Sequence, residues 1–153
     1  MCQDGKMFLL SDRFMALDSS LDAALQQLRE VRLKLLRLHK ALLESERVTY
    51  EQSYGRIASS GEFFRLVVDH EWFSWLRPIS QFIIQMDDVI HAKEPVELQQ
   101  VNSLLEQAKM MLQPVEEGTS MEKRYYQAIQ RDPDIALMHG EISYLLHRSK
   151  PLN

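Results

Sequence analysis

Leucines recur every seven residues from Leu21 through Leu28 and Leu35 to Leu42, with Ala24, Val31 and Leu38 between them. This 3,4 alternation sets the apolar positions on one stripe of an α-helix. No glycine or proline lies between Gly5 and Gly55. The pattern therefore predicts a helix from about Ser19 to Tyr54, about 50 Å long at 1.5 Å per residue. Leu25, Leu33, Leu36 and Leu43 fall off the stripe. A two-stranded zipper needs only a narrow stripe, so this helix reads as one rod of a bundle. The 1–17 stretch before it reads as an N-terminal tail.

Breaks and caps divide the rest. "YGRIASSGE" interrupts the pattern, and Ser59 followed by Glu62 has capping-box spacing. A short helix over about 60–68 is expected to follow. Trp72, Leu76, Ile79, Ile83, Met86 and Ile90 then repeat at 4,3,4,3,4. Pro78 falls on the polar side of that repeat, where its ring and missing N–H would kink a continuous helix toward the core. The alternative is a turn ending near Leu76 and a new helix with Pro78 at its first position. Arg77 caps poorly, so the pattern favours the kink. Pro95 suits the start of a helix carrying Leu98, Val101, Leu105, Ala108, Leu112 and Val115. Thr119 with Glu122 opens another helix to about Arg131, and "RDPD" restarts the chain with Asp132 as cap and Pro133 at the first position. Residues 149–153 are expected to fray.

The sum is an all-α fold: an antiparallel bundle of four main helices with short extra segments, a long first helix and a Pro-kinked second main helix. Residues 1–153 form a single domain. The chain has five glycines and five prolines, and 45% of its residues are hydrophobic, a composition that fits a packed helical core. A net charge of −4 differs from that of a basic nucleic-acid binder. Cys2 is the sole cysteine, so an intramolecular disulfide is excluded and a reducing, cytoplasmic setting is the natural reading. No apolar run approaches a membrane span.

Candidate chemistry is sparse. Asp88 and His91 have the i,i+3 spacing of carboxylate-bridged metal bundles, but such centres need a second pair and further carboxylates. His139 and Glu141 do not share a helix face. Gly-rich phosphate loops and nucleophile elbows are missing, so no catalytic residue, metal or cofactor is assigned. Arg29, Arg32, Lys34, Arg37 and Lys40 spread around the first helix instead of forming a phosphate-tracking stripe. Trp72 and Trp75 fall on or beside the buried stripe. Phe73 and Arg77 share a flank at the border of core and water, with Phe63 and Phe64 just upstream, and aromatic residues beside an arginine are typical interface anchors. The expected interaction surface is therefore Phe73, Arg77, Phe63 and Phe64.

The first helix also outruns its neighbours. Either it breaks near Ser45-Glu46, or its far end packs on another chain; a homodimer is the favoured outcome. The stretch "WFSWLRPIS", with its surroundings over the last two-thirds of the chain, resembles a group of small bacterial helical proteins that share a WFxWLRPxS-type element. That resemblance implies an all-α cytoplasmic protein and brings no activity or site residue. The function expected is a non-enzymatic protein-protein interaction or regulatory module. Its first rival is an enzyme or small-ligand sensor with an inter-helix pocket walled by Trp72, Trp75, Met86, Met110 and Met111. A weaker rival is nucleic-acid binding through the first helix.

Overall fold

A computed structural model describes the backbone of residues 2–148 and the side chains of residues 19–148; the expected fraying of 149–153 lies outside the described residues. The described chain is all-helical, without strands. It runs α1 (Cys2–Tyr54), α2 (Ser60–Asp69), a 3-10 helix (Glu71–Leu76), α3 (Arg77–Ile90), α4 (Leu98–Met111), α5 (Ser120–Arg131) and α6 (Pro133–His147).

The apolar stripe of α1 does what its spacing implies. Ala24, Leu28, Val31, Leu35, Leu38 and Leu42 are all buried. They meet Ile79, Phe82, Ile83 and Met86 of α3, Val101, Leu105 and Ala108 of α4, and Ile135, Ile142, Leu145 and Leu146 of α6 in one core. Polar contacts give directions. Arg32 pairs with Asp87, whereas His39, seven residues on, meets the backbone of Leu76. Positions therefore rise along α1 as they fall along α3. Likewise Gln27 donates to the Leu145 carbonyl at 3.0 Å and Lys34 reaches Glu141 at 3.5 Å, so α6 also opposes α1.

The helix boundaries follow local chemistry. α1 ends at Gly55, whose φ of +92° is open to glycine without strain; its N–H donates to the Glu51 carbonyl at 2.9 Å. At α2 the Ser59 hydroxyl accepts from Glu62 N–H at 3.1 Å. Thr119 and Glu122 form a reciprocal capping box at α5, and Asp132 caps α6 just ahead of Pro133.

Four readings are corrected. α1 begins at Cys2 instead of near Ser19, so the stretch read as a tail is helical from Cys2 onward, and no break interrupts α1 at Ser45-Glu46. Pro95 stands before α4, which starts at Leu98 behind Glu97. No Pro-kinked helix runs through residues 72–90. A 3-10 segment gives way at Leu76 to α3, and Pro78 sits in the first turn of α3, where its lost N–H has no helical acceptor to miss.

Candidate functional site

The stripe of α1 continues past Leu42 at the same spacing, but the next residues on it are polar. Ser45 is buried and Glu46 is only 1% exposed. A carboxylate in such a place is tolerated only when it is paired and hydrogen-bonded. Both partners come from α5. Arg124 Nη2 donates to Glu46 Oε2 at 2.8 Å, and Arg131 Nη2 to Glu46 Oε1 at 3.3 Å. Arg131 also donates through Nε and Nη2 to the Ser45 hydroxyl at 3.1 and 2.9 Å. The two arginines stand seven residues apart on α5, so both reach one face of α1. Each keeps about a third of its side chain in water, so the cluster is sealed on the carboxylate side and wet on the guanidinium side.

Arg124 ties this cluster to the tryptophan stretch. Its Nη2 donates to the Trp72 carbonyl at 3.3 Å, and its guanidinium lies 5.1 Å from the Trp72 ring centroid and 5.9 Å from that of Trp75. The 3-10 pitch sets the neighbours. At three residues per turn, positions i and i+3 eclipse. Phe73 and Leu76 therefore share the inward edge, and both are fully buried or nearly so. Trp72 and Trp75 share the adjoining edge, beneath Arg124. His70 caps the segment, its Nδ1 accepting from Trp72 N–H at 3.0 Å. Arg77 fastens the junction with α2, donating to the carbonyls of His70 at 2.9 Å and Val67 at 3.4 Å.

Around this corner the aromatic rings pack on one another. Tyr50 lies 5.7 Å from Phe73 and 5.9 Å from Trp72, Tyr54 lies 5.9 Å from Trp72, and Phe63 meets Phe73 edge-on at 5.7 Å. These separations suit favourable aromatic pairs. Both indole N–H groups, like Arg47 Nε, are buried without a hydrogen-bond partner among the described residues.

The expected interaction surface is thus divided. Phe73 is 0% exposed and belongs to the core, a correction that follows from the 3-10 phase. Arg77 is spent on backbone carbonyls and Phe63 is partly buried against the core. Phe64 alone among the four is well exposed, at 68%, next to Val68 on the outer side of α2. The expected pocket set is not assembled either. Trp75 and Met86 are core residues and Met111 packs against the core, whereas Met110 is 75% exposed. The described clefts lie elsewhere, one of about 180 Å³ between α1 and α6 at Lys34, Arg37 and Leu137. Another, of about 370 Å³, is lined by Gln27, Asn102, Glu106, Lys109 and the end of α6.

The remaining candidates are scattered. Of the basic residues on α1, Arg32 is paired with Asp87 and Lys34 with Glu141. Asp88 and His91 are exposed, and among the described residues no three ligand-type side chains converge. No described helix is long and apolar enough to cross a membrane. A second polar pair, half-buried, joins α5 to α6: the Tyr125 hydroxyl lies 2.7 Å from His139 Nδ1. Burial pushes the Tyr125 phenol up and His139 down, the latter helped by the charge of His147. Burial also lowers His39, against the opposing pull of the Leu76 backbone.

Sequence reasoning missed the Glu46 cluster because it tracked apolar positions only. A signal was present: Ser45 keeps the 3,4 spacing after Leu42, and Arg124 and Arg131 repeat at seven residues. No family model, curated protein or solved structure matches this chain.

Proposed function

We propose that this protein is a non-enzymatic protein-protein interaction module, a cytoplasmic bundle of four main rods (α1, α3, α4 and α6) that works as a homodimer. The observation that carries this reading is the length of α1. Its 53 residues extend about 80 Å, against about 20 Å for each of the 14- or 15-residue helices beside it. An amphipathic helix that outruns its own bundle needs another surface to hold it. The Glu46 cluster fits a structural role: it satisfies itself and locks α5 across the far end of α1.

Light scattering on the full chain at tens of micromolar tests the reading, with a two-chain mass expected. A one-chain mass, unchanged up to hundreds of micromolar, refutes it. The buried, unpartnered indole N–H groups of Trp72 and Trp75 favour a second reading, a small-ligand sensor at that corner. Tryptophan fluorescence during a screen of small polar acceptors tests it; saturable quenching supports the sensor, and a flat response across the screen removes it.

A further inference from the structure

We infer that two copies of this chain pair through the outer sides of α1 and α6, with α1 of each copy lying on α6 of the other. This rests on the self-association proposed above and specifies its surface and geometry.

The outer side of α1 is basic and apolar. Neighbouring helices take up two of its cations: Arg32 pairs with Asp87 of α3, and Lys34 with Glu141 of α6. Arg29, Arg37 and Lys40 are exposed and have no ion-pair partner among the described residues. Leu33 and Leu36 are exposed as well. These five residues fall within about 100° of the helix, on the side away from the buried stripe. The cations that were taken up are the ones off this face. Glu44, the next carboxylate along the same side, pairs with Arg47 at 3.8 Å.

The outer side of α6 is acidic and apolar. Asp134, Leu137, Glu141 and Tyr144 recur at 3,4,3, and all four are exposed. Leu137 and Tyr144 keep 65% and 73% of their surface in water. Between them Gly140 leaves a notch, where an added β-carbon would meet nothing within 4 Å. Because α6 packs on α1, the basic and acidic faces lie side by side in one molecule. That patch complements itself when turned by half a rotation. An anionic membrane or a nucleic acid would meet Asp134 and Glu141 beside the cations. A separate acidic helix would match the α1 half and oppose the α6 half. A second copy matches both halves at once.

Polar contacts within one chain fix the levels. Gln27 reaches the Leu145 carbonyl and Lys34 reaches Glu141. Arg29 is therefore about level with Tyr144, Leu33 with Gly140, Leu36 with Leu137 and Lys40 with Asp134. A two-fold axis along the groove between α1 and α6 keeps these levels and exchanges the helices. Between copies, Leu33 then enters the notch at Gly140 and Leu36 meets Leu137. Lys40 faces Asp134, and Arg29 lies level with the Tyr144 ring, a cation–π partner. Each pair occurs twice, so the contact is isologous and closed.

The test uses the full chain, substituted at exposed positions. Leu33→Glu and Leu137→Glu, made separately, are each expected to give a one-chain mass by light scattering with the helical circular dichroism of the wild type. Gly140→Leu separates association from folding. It fills the notch and puts a good helix former in place of a poor one. The dimer is expected to weaken at least tenfold, while helical content stays level or rises. Crossed pairing is read by charge reversal. Lys40→Glu and Asp134→Lys, each alone, are expected to weaken the dimer about tenfold, because like charges then face each other twice. An equimolar mixture of the two variants sets opposite charges at both places and is expected to regain the wild-type affinity within about threefold. A mixture no tighter than its separate components overturns the crossed pairing. A wild-type dimer that survives Leu33→Glu and Leu137→Glu overturns this inference and leaves self-association standing through another surface. A wild-type monomer overturns both readings, even where it binds vesicles of anionic lipid or an acidic amphipathic peptide.

Discussion

Removal of Arg124 is the sharpest test of what holds the far end of the molecule together. Arg124→Met keeps the aliphatic stem and deletes the guanidinium that lies over Trp72 and Trp75 and donates to Glu46 and the Trp72 carbonyl. Glu46 is then left at 1% exposure with Arg131 as its remaining cation, at 3.3 Å against the 2.8 Å of the lost contact. Breaking a buried pair by removing one partner costs about 3–5 kcal/mol, because the other charge stays buried. Arg131 retains part of the compensation, and Arg124 is itself partly solvated, so the low end applies: about 3 kcal/mol. For a chain of this size that is a fall in melting temperature of roughly 6–12 °C. Glu46→Gln is expected to cost less, about 1–2 kcal/mol, because the two guanidinium groups it strands can turn to water. The assay is urea unfolding of both single variants and the double variant. A coupling energy of about 1.5 kcal/mol or more is expected, since both residues belong to one contact. Additive single effects, or an Arg124→Met within about 0.5 kcal/mol of wild type, refute the reasoning and make the cluster a surface decoration.

Other outcomes follow from the same geometry. Phe73→Ala is expected to destabilise by about 3–5 kcal/mol as a core truncation, and Phe64→Ala by no more than about 0.5 kcal/mol; similar losses in urea unfolding would contradict the assignment of Phe73 to the core. Arg77→Ala removes the donor to the His70 and Val67 carbonyls and is expected to loosen α2, seen as faster hydrogen exchange over residues 60–70 with slower change in α6. Acidification is expected to lower stability. Burial holds His39 and His139 below 6.5 in the folded state, so below about pH 6.5 the unfolded chain binds protons that the folded chain refuses. The contribution is fully present above that value and is lost as pH falls toward the lowered folded values. Melting temperatures at about pH 7.5 and 5.5 read it, and His39→Gln should flatten the slope; a melting temperature that rises on acidification contradicts it.

Helix identities were legible from the sequence wherever one period held and one chemistry ended it. The 3,4 spacing from Ala24 to Leu42 named the buried face of α1. Ser59, Thr119 and Asp132 placed three helix starts to within a residue, because a hydroxyl or carboxylate there accepts N–H groups that the helix leaves free. Failures came where the period changed without a change in composition. Between Glu71 and Leu76 the pitch tightens to three residues per turn, so each residue advances the helix face by about 120° instead of 100°. Carrying a 3.6-residue phase back from Ile79 sends Phe73 to the rim, whereas the actual backbone carries it inward beside Leu76.

The same reasoning explains why the aromatics Trp72, Phe73 and Trp75 stand so close to Pro78. A 3-10 turn exposes two edges at once: one pair, Phe73 and Leu76, enters the core, and the other, Trp72 and Trp75, lies beneath Arg124. The tight turn must end quickly, since its hydrogen bonds are poor over longer runs. Pro78 then falls in the first turn of α3, where a missing N–H costs least. Arg77, between the two segments, supplies donors to the loose carbonyls of α2 and its cap. The whole stretch is a corner piece. It converts the chain from α2 to α3 while covering the polar end of the α1 stripe, where Glu46 and Arg124 meet.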